Sequence, residues 1–413
     1  MPGLMSAKIF SCIADTVNST AVAVHRCTDY APASVRQALE KVLADSGVMS
    51  IFNFSGKSVL LKPNLLRESL PEQCVCTHFE VVRQLGILLR EAGAEVTVAE
   101  SSGGRSYGKT IRAAETSGLL KALSEAGIPF VNVDTAGTML KHLNGTQLEN
   151  LVISELYQQF DITVSIPKMK THVETRFTGA VKNMMGLVPG SGKLSMHKAA
   201  PKAHELGEAI VDLYSAVKPH FAVMDAIWAM EGDGPNLGTR RDAGMLICSI
   251  DAVALDSMAS RLTGFHEQEV EYLWNAQSRG LGTADWSRIE LCGDSVEVMK
   301  DFRHGAPSLT RKLPSWLLRF AARHLVSVDP EIVTDQCRQC GECASSCPVE
   351  AIVCVGARGN VPLQDVDLSA DRPETVPVID YKKCIRCLCC HELCPHQAVR
   401  LKKSLLLRLL TGK

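Results

Sequence analysis

The chain has 413 residues, and its 44 Lys and Arg against 45 Asp and Glu give a formal net charge of -1 at pH 7. This balance excludes the basic composition of a general nucleic-acid or membrane-surface binder, so any basic site must be local. A chain of this length predicts two or three domains. The first residues have no cationic stretch followed by a long apolar run, and we expect no secretory signal and no transmembrane segment.

The first three hundred residues alternate between strand-like and helix-like segments. Short apolar segments predict strands at 20–25, 58–63, 95–100, 129–134, 161–167, 221–226, 244–249 and 288–293. Most are apolar on both faces, as expected for strands that helices cover on both sides. Helices are predicted at 34–47, 77–93, 201–217 and 251–264. The alternation predicts an α/β fold with a mainly parallel sheet and helices on both faces.

Local residues predict where several helices begin and end. Thr77 and Glu80 have the spacing of a capping box at the start of the second helix. Gly47, Gly93 and Gly264 follow predicted helices and are expected to end them.

A basic amphipathic segment, LTRKLPSWLLRFAARHLVSV, separates the α/β region from the rest of the chain. It predicts a linker helix within 301–330, with contact to a membrane surface or a partner protein as the alternative. The tail at 403–413 allows the same two interpretations. We therefore expect an α/β domain at 1–300 and a further small domain at 331–402.

Ten of the sixteen cysteines lie between Cys337 and Cys394, and all of these except Cys354 are in the duplicated stretches CRQCGECASSCP and CIRCLCCHELCP. Without an export signal, such spacing indicates metal binding in a cytoplasmic protein and not disulfides. Both stretches fit C-x2-C-x2-C-x3-C-P, in which three thiolates hold one iron–sulfur cluster and the fourth reaches the other cluster. Structural zinc is the alternative.

The spacing predicts two 4Fe-4S clusters. One set of ligands is Cys337, Cys340, Cys343 and Cys394, and the other is Cys384, Cys387, Cys390 and Cys347. Cys389 and Cys354 are surplus, and Cys390 is preferred to Cys389 because it keeps the spacing of the first motif. The region resembles the bacterial two-cluster ferredoxins over about 331–402, which implies a compact α+β domain whose clusters exchange electrons.

The segment SIPKMKTHVETRFTGAVKNMMG, at 165–186, begins a local excess of positive charge. Between Lys168 and His204 there are seven Lys or Arg and three His against Glu174 as the one acid. A solvated basic face is the simplest explanation. Open α/β sheets, however, bind ligands beyond the carboxyl ends of their strands, where loops converge.

Four predicted strands deliver polar residues to that edge. Lys62 and Asn64 end one strand, Glu100 ends the next, Lys168 follows a third, and Asp225 ends a fourth. We therefore predict a site for an anionic small molecule. Catalytic candidates are Lys168, Lys170, His172, Lys182 and Asp225, and candidates for substrate binding are Lys62, Asn64, Glu100, Asn183 and His197.

Other motifs point less clearly to a function. GLVPGSGK at 186–193 lacks the spacing of a phosphate-binding loop, and EGDGPNLG at 231–238 lacks that of a dinucleotide-binding turn. His172 and His197 are candidate proton donors or structural histidines. Cys74 and Cys76 are candidate metal ligands or thiols without a special role.

Several ordered motifs then connect the first part of the chain with a family. KPNLL (62–66), AESSGG (99–104), PKMKTH (167–172), TGAVKNMMGLVPG (178–190) and MDAIWAMEGDGP (224–235) resemble the family called domain of unknown function 362 over about residues 20–295. Similar proteins often carry a two-cluster ferredoxin module, which implies this architecture and little of the chemistry.

The favoured hypothesis is an oxidoreductase that passes electrons through the clusters to or from an anionic substrate in the α/β domain. The alternative is a non-enzymatic electron carrier that docks a partner redox protein through its basic surface. A third hypothesis is a non-redox enzyme in which the clusters serve regulation.

Overall fold

The structure is a computed structural model. It describes residues 19–103, 109–172, 174–200, 202–305, 328–345, 347, 349–356, 375–384, 390, 394, 396 and 398–403. Most of the predicted linker helix and nearly all of the tail lie outside these residues, as do Cys387 and Cys389.

The strand-like segments of the first three hundred residues form one sheet of ten strands. They are β1 (Thr20–Arg26), β2 (Ser58–Pro63), β3 (Glu95–Glu100), β4 (Phe130–Asn132), β7 (Ile162–Ile166), β8 (Lys168–His172), β9 (Arg176–Thr178), β10 (Phe221–Glu231), β11 (Thr239–Ser249) and β12 (Ile289–Gly293). Between β4 and β7, β5 (Thr138–His142) and β6 (Asn150–Ser154) form a separate antiparallel hairpin that the sequence did not predict.

The sheet has the order β12-β1-β11-β10-β7-β2-β3-β4, with β8 paired to β10 and β9 paired to β8. Neighbours run parallel except in the pairs β1–β11, β10–β11 and β8–β9. The predicted α/β fold with a mainly parallel sheet is confirmed.

Helices connect the strands and cover both faces of the sheet. The described helices of this region are α1 (Pro32–Asp45), α2 (Val48–Ile51), α3 (Phe79–Glu91), α4 (Thr110–Thr116), α5 (Leu119–Glu125), α6 (Leu156–Gln159), α7 (Ala180–Asn183), α8 (Gly190–Ala199), α9 (Ala203–Ala216), α10 (Ala252–Leu262) and α11 (Glu271–Ser278). In β2, Val59 and Leu61 belong to one apolar cluster and Leu60 to the other. Because successive side chains of a strand point to opposite faces, this alternation explains why the strand is apolar throughout.

The basic stretch that follows β7 is itself a strand. Lys168–His172 were predicted to follow the strand end, but they form β8, which continues past Pro167 beside the second half of β10. For the same reason Asp225 does not end a strand: β10 runs on to Glu231, and Asp225 lies opposite Lys168. The sequence missed this because a strand with two lysines and a histidine resembles a polar loop.

The start of α3 also differs from the prediction. Its N-cap is His78, whose Nδ1 accepts a hydrogen bond from the Glu80 amide at 3.2 Å. The Thr77 hydroxyl donates instead to the Ile166 carbonyl at 2.6 Å, and the predicted capping box is wrong. Thr77 thus ties the loop before α3 to the end of β7.

The described residues after 327 form two small antiparallel sheets of two strands each, with a separate apolar cluster. β13 (Val328–Ile332) pairs with β16 (Val399–Lys403), and β14 (Ile352–Gly356) pairs with β15 (Thr375–Ile379). A short helix, α12 (Glu342–Ser345), lies within the first cysteine motif. Ile352, Ile379 and Val399 form the cluster together with Cys343 and Cys390.

Candidate functional site

A cleft of about 270 Å³ lies where β2 and β3 end and beside β8. The described polar residues of its wall include Asn64, Glu100, Ser101, Lys170, His172, Glu174, Lys182, Asn183 and Lys193. Six of the predicted site residues are in this set: Asn64, Glu100, Lys170, His172, Lys182 and Asn183. They come from four separate segments, which the fold brings to one edge of the sheet.

Lys62 and Glu100 form a buried ion pair at the floor of the cleft, with exposed side-chain fractions of 0% and 2%. The Lys62 ammonium also donates to the Pro63 carbonyl at 2.7 Å and to Asn183 Oδ1 at 3.0 Å. Burial lowers the pKa of Lys62 to about 8 and raises that of Glu100, while each partner's charge opposes the shift of the other. The pair adds no net charge to the cleft.

Gly186, in the turn Met184–Leu187, packs against this ion pair. A Cβ atom at this position would collide with the Glu100 carboxylate and with the Lys62 ammonium. A glycine is therefore required for the turn to approach so closely, although sequence alone did not single this residue out.

Lys170 is buried in β8, and its ammonium donates to Asn64 Oδ1 and to the Val75 carbonyl, both at 2.7 Å. Both acceptors are neutral. Burial lowers the pKa of Lys170 to about 7, and the neighbouring charges of Lys182 and Lys168 lower it further. The side chain of Lys170 can therefore exchange a proton between its ammonium and amine forms near neutral pH.

Lys182 and Asn183 are on the short helix α7, which a buried carboxylate of α10 holds in place. Asp256 accepts hydrogen bonds from the Ala180 amide at 2.6 Å and from the Val181 amide at 2.9 Å. Among the described residues, the Lys182 ammonium has no hydrogen-bond or ion-pair partner. Burial lowers its pKa to about 8, with the charge of Glu174 acting in the opposite direction.

His172 presents a defined tautomer to the cleft wall. Its Nδ1 accepts from the amides of Glu174 at 3.1 Å and Thr175 at 3.3 Å. A ring nitrogen that accepts carries no proton, so the proton of the neutral ring is on Nε2. His172 is thus a hydrogen-bond donor through Nε2.

Lys193 and Ser101 belong to the cleft but were not predicted as site residues. The Lys193 ammonium donates to Ser101 Oγ at 2.7 Å and to the Ser102 carbonyl at 3.1 Å. Ser101 Oγ in turn donates to the carbonyls of Gly186 and Val188, each at 2.9 Å. The glycine-rich segment at 186–193 lacks the spacing of a phosphate-binding loop, but it ends at Lys193 and could have indicated this lysine as a cleft residue.

Lys168 and Asp225 belong to a second buried network and, among the described residues, do not form part of the cleft wall. The Lys168 ammonium donates to Asp225 Oδ2 at 2.8 Å and to the Tyr30 hydroxyl at 2.9 Å. Tyr30 donates to Asp225 Oδ1 at 2.7 Å and stacks on His78 with ring centroids 3.6 Å apart. The polar groups of Tyr30, Lys168 and Asp225 therefore satisfy one another's hydrogen bonds.

The remaining candidates from the sequence are His197, Cys74 and Cys76. His197 is in α8, and its side chain lies outside the described residues. Cys74 and Cys76 are both buried, and their thiols have different partners: Cys74 donates to the Glu72 carbonyl at 3.6 Å, and Cys76 lies 3.3 Å from Ser69 Oγ. Because the Val75 carbonyl between them binds Lys170, this segment positions a cleft lysine.

Five of the described motif cysteines lie in or against one small apolar cluster. Cys347, Cys384 and Cys394 pack against the cluster that contains Cys343 and Cys390. The Ala351 amide donates to Cys347 Sγ at 3.2 Å, and the Ala398 amide donates to Cys394 Sγ at 3.3 Å. These are the fourth cysteines of the two motifs, each bound by the amide four residues later, so the duplication extends to the geometry.

Amide-to-sulfur hydrogen bonds of this kind stabilise thiolates and are typical of iron–sulfur ligation. In the part of the chain that the structure describes, no three His, Cys, Asp or Glu side chains converge on a single-ion site.

Two family models match the chain. Residues 59–261 match the domain of unknown function 362, DUF362. Residues 329–395 match the 4Fe-4S dicluster domain.

Curated relatives agree with these matches. The chain is 34% identical over 236 residues to a thylakoid-associated protein of Synechocystis sp., covering 57% of this chain and 72% of that protein. It is 30% identical over 71 residues to an uncharacterised polyferredoxin-like protein of Methanocaldococcus jannaschii, covering 17% of this chain and 39% of that protein.

Among solved structures, the lactate racemase apoprotein of Thermoanaerobacterium thermosaccharolyticum overlaps 59% of this chain and 57% of its own, with 12% identity and a TM-score of 0.37. This likeness is too small to bear on function.

Proposed function

The chain belongs to the DUF362 family and carries a 4Fe-4S dicluster domain, and from this premise we propose that it is an iron–sulfur oxidoreductase. In this proposal, the dicluster domain passes electrons to or from an anionic small molecule that binds in the cleft of the α/β domain. The observation that carries the proposal is the set of buried lysines that face this cleft.

The cysteine motifs support two clusters with the ligands expected from their spacing. Cys337, Cys340, Cys343 and Cys394 would hold one cluster, and Cys384, Cys387, Cys390 and Cys347 would hold the other. When bound, clusters of this type supply single-electron transfer. The amide hydrogen bonds to Cys347 and Cys394 support their assignment as thiolate ligands.

The cleft residues would bind the substrate and stabilise its charge. Lys170 and Lys182 lie in a part of the cleft wall that water reaches only partly. There, a fixed ammonium stabilises developing negative charge more strongly than it would in water. His172 Nε2 would add a neutral hydrogen-bond donor. Because the pKa values of Lys170 and Lys182 are lowered to about 7 and 8, either can deliver a proton when the substrate gains electrons.

The course of the chain supports delivery of electrons to this cleft. His304 pairs with Gly232, and the Arg303 carbonyl accepts a hydrogen bond from the Gly232 amide at 2.6 Å. The loop that begins at Gly232 contributes Pro235 and Asn236 to the cleft wall. Gly305 therefore lies beside the loop that borders the cleft. The dicluster domain follows in the same polypeptide, and attachment to one chain raises the effective concentration of one domain at the other.

The location of the protein is also a proposal. None of the helices in the described ranges combines the length and the apolar composition needed to span a bilayer. The cytoplasmic location expected from the sequence stays a prediction, and the relative from Synechocystis is described as thylakoid-associated.

The test begins with anaerobic purification of the full chain. Iron and sulfide are counted per chain, and native mass spectrometry identifies any small molecule that stays bound. Lys170→Met is then compared with Lys57→Met, a control at an exposed lysine that pairs with Asp161.

We expect Lys170→Met to abolish both ligand retention and ligand-dependent oxidation of the reduced clusters, with cluster absorbance unchanged, while Lys57→Met has neither effect. If Lys170→Met weakens only complex formation with a partner redox protein, the electron-carrier hypothesis replaces this proposal. Turnover that is the same with oxidised and reduced clusters would favour the non-redox enzyme.

A further inference from the structure

The charges around the cleft do not balance. Among the described residues of the cleft and its floor, there are four lysines and two glutamates, which gives a formal excess of two positive charges. The lysines are Lys62, Lys170, Lys182 and Lys193, and the glutamates are Glu100 and Glu174. His172 accepts hydrogen bonds from two backbone amides through Nδ1, and a neutral imidazole adds no charge to this count.

The lysines differ in how they are compensated. Lys62 has its carboxylate, Glu100, in direct contact, as Lys168 has Asp225 in the neighbouring network. Lys170 has an exposed fraction of only 1%, and its hydrogen bonds within the described residues go to the neutral oxygens of Asn64 and Val75. Lys182 is half-buried and has no hydrogen-bond or ion-pair partner within the same described residues, although the charge of Glu174 acts on it.

An ammonium that is buried without a counter-charge is unfavourable, and a protein normally pairs or neutralises it. The lowered pKa values of Lys170 and Lys182 follow from this: burial disfavours their charged forms. An anion in the cleft would supply the missing counter-charges and restore both protons.

We propose that the cleft binds a small dianion, whose two negative charges are matched by Lys170 and Lys182. This inference rests on the proposed function and specifies its substrate class. A dicarboxylate and a phosphate monoester share the required charge. The volume of about 270 Å³ lies just below the usual range for drug-sized ligands, so a small metabolite fits.

The test compares probe anions that differ mainly in charge. Sulfate is paired with methanesulfonate and malonate with acetate, and each is titrated calorimetrically into the anaerobic full-length protein at pH 7. A monoanion leaves one of the two ammonium groups facing a neutral group, and a hydrogen bond to a charged group is stronger than one to a neutral group. We therefore expect each dianion to bind about 10- to 100-fold more tightly than its monoanionic counterpart. Sulfate exceeding malonate supports a phosphate-like ligand, and the reverse supports a dicarboxylate.

Proton uptake provides a second measurement. At pH 8, in buffers of different ionisation enthalpy, dianion binding should take up about one proton, because both lysines are incompletely protonated in the free cleft. Lys182→Met should reduce the preference for dianions at least several-fold, whereas Lys57→Met should leave it unchanged.

The outcomes separate this inference from the proposed function. Equal affinities for dianions and monoanions, or an undiminished preference in Lys182→Met, would overturn the dianion while leaving an anionic substrate in place. If none of the four probes binds at millimolar concentration, the anionic cleft of the proposed function fails as well.

Discussion

Replacing Gly186 with alanine tests how closely the cleft turn packs against the buried ion pair. The added Cβ would occupy the space of the Glu100 carboxylate and the Lys62 ammonium. Neither partner can move freely, because Lys62 also binds Asn183 and the Ser101 amide donates to Glu100 Oε1 at 2.8 Å. The substitution must therefore separate the ion pair or displace the turn.

The size of the effect lies between two known costs. An added methyl group in a well-packed core usually costs about 1–3 kcal/mol. Loss of one partner of a buried ion pair costs about 3–5 kcal/mol. Because Gly186→Ala overpacks the site and strains the pair without removing a partner, we expect the free energy of unfolding to fall by about 2–4 kcal/mol.

Gly207→Ala is a matched control in the interior of α9. Its Cβ would meet Tyr272 at 3.4 Å, which is an ordinary contact. Since alanine favours a helix over glycine by about 0.5–1 kcal/mol, the same substitution should stabilise the protein slightly.

Urea denaturation of the anaerobic full chain at pH 7, followed by far-ultraviolet circular dichroism, compares the midpoints of the α/β domain at constant m-value. Sulfate binding is measured on the same samples, because displacement of the turn should also disturb the cleft. If Gly186→Ala matched the wild type in midpoint and in sulfate affinity, the close packing of the turn on Lys62 and Glu100 would be refuted.

Three other outcomes follow from the structure. Burial raises the pKa of Asp256 to about 7, so between pH 4 and 7 the folded protein holds a proton that the unfolded chain releases, and stability contributed by this group falls as the pH rises. Over that range the wild type should lose up to about 4 kcal/mol of unfolding free energy through this group, and Asp256→Asn should not show this loss. Parallel curves of unfolding free energy against pH for the two proteins would contradict this. Cys394→Ser should lower the iron content per chain to about half, whereas Cys389→Ser should leave it unchanged; equal losses in both variants would reject the assignment of ligands. Sulfate affinity should decrease between pH 7 and 9, because the lysines of the free cleft lose their protons near pH 7 and 8, and a flat pH profile would exclude them as the binding groups.

Much of the sheet could be predicted because its strands carry their own pattern. Ser58–Pro63 and Glu95–Glu100 were predicted with the bounds that the structure has. A strand that is apolar on both faces is recognisable without its neighbours. The same criterion failed for Lys168–His172, which is a buried strand only because distant residues satisfy its polar side chains.

The structure brings some of the predicted site residues together and separates others. Asn64, Glu100 and Lys182 do line one cleft, as expected for residues near the ends of parallel strands. Lys168 and Asp225 were assigned to the same site, but they satisfy each other in a separate network. No local pattern could have separated the two groups.

The sequence by itself determined the iron–sulfur domain and the alternation of strands and helices. Both depend on spacing along the chain, since thiolates two or three residues apart wrap a cluster from one loop and apolar residues recur with the period of their element. Only the tertiary structure decided which lysines are neutralised. Glu100 lies 38 residues from Lys62 and Asp225 lies 57 residues from Lys168, so these charges meet only after folding. Lys170 and Lys182 face the cleft and form no ion pair within the described residues.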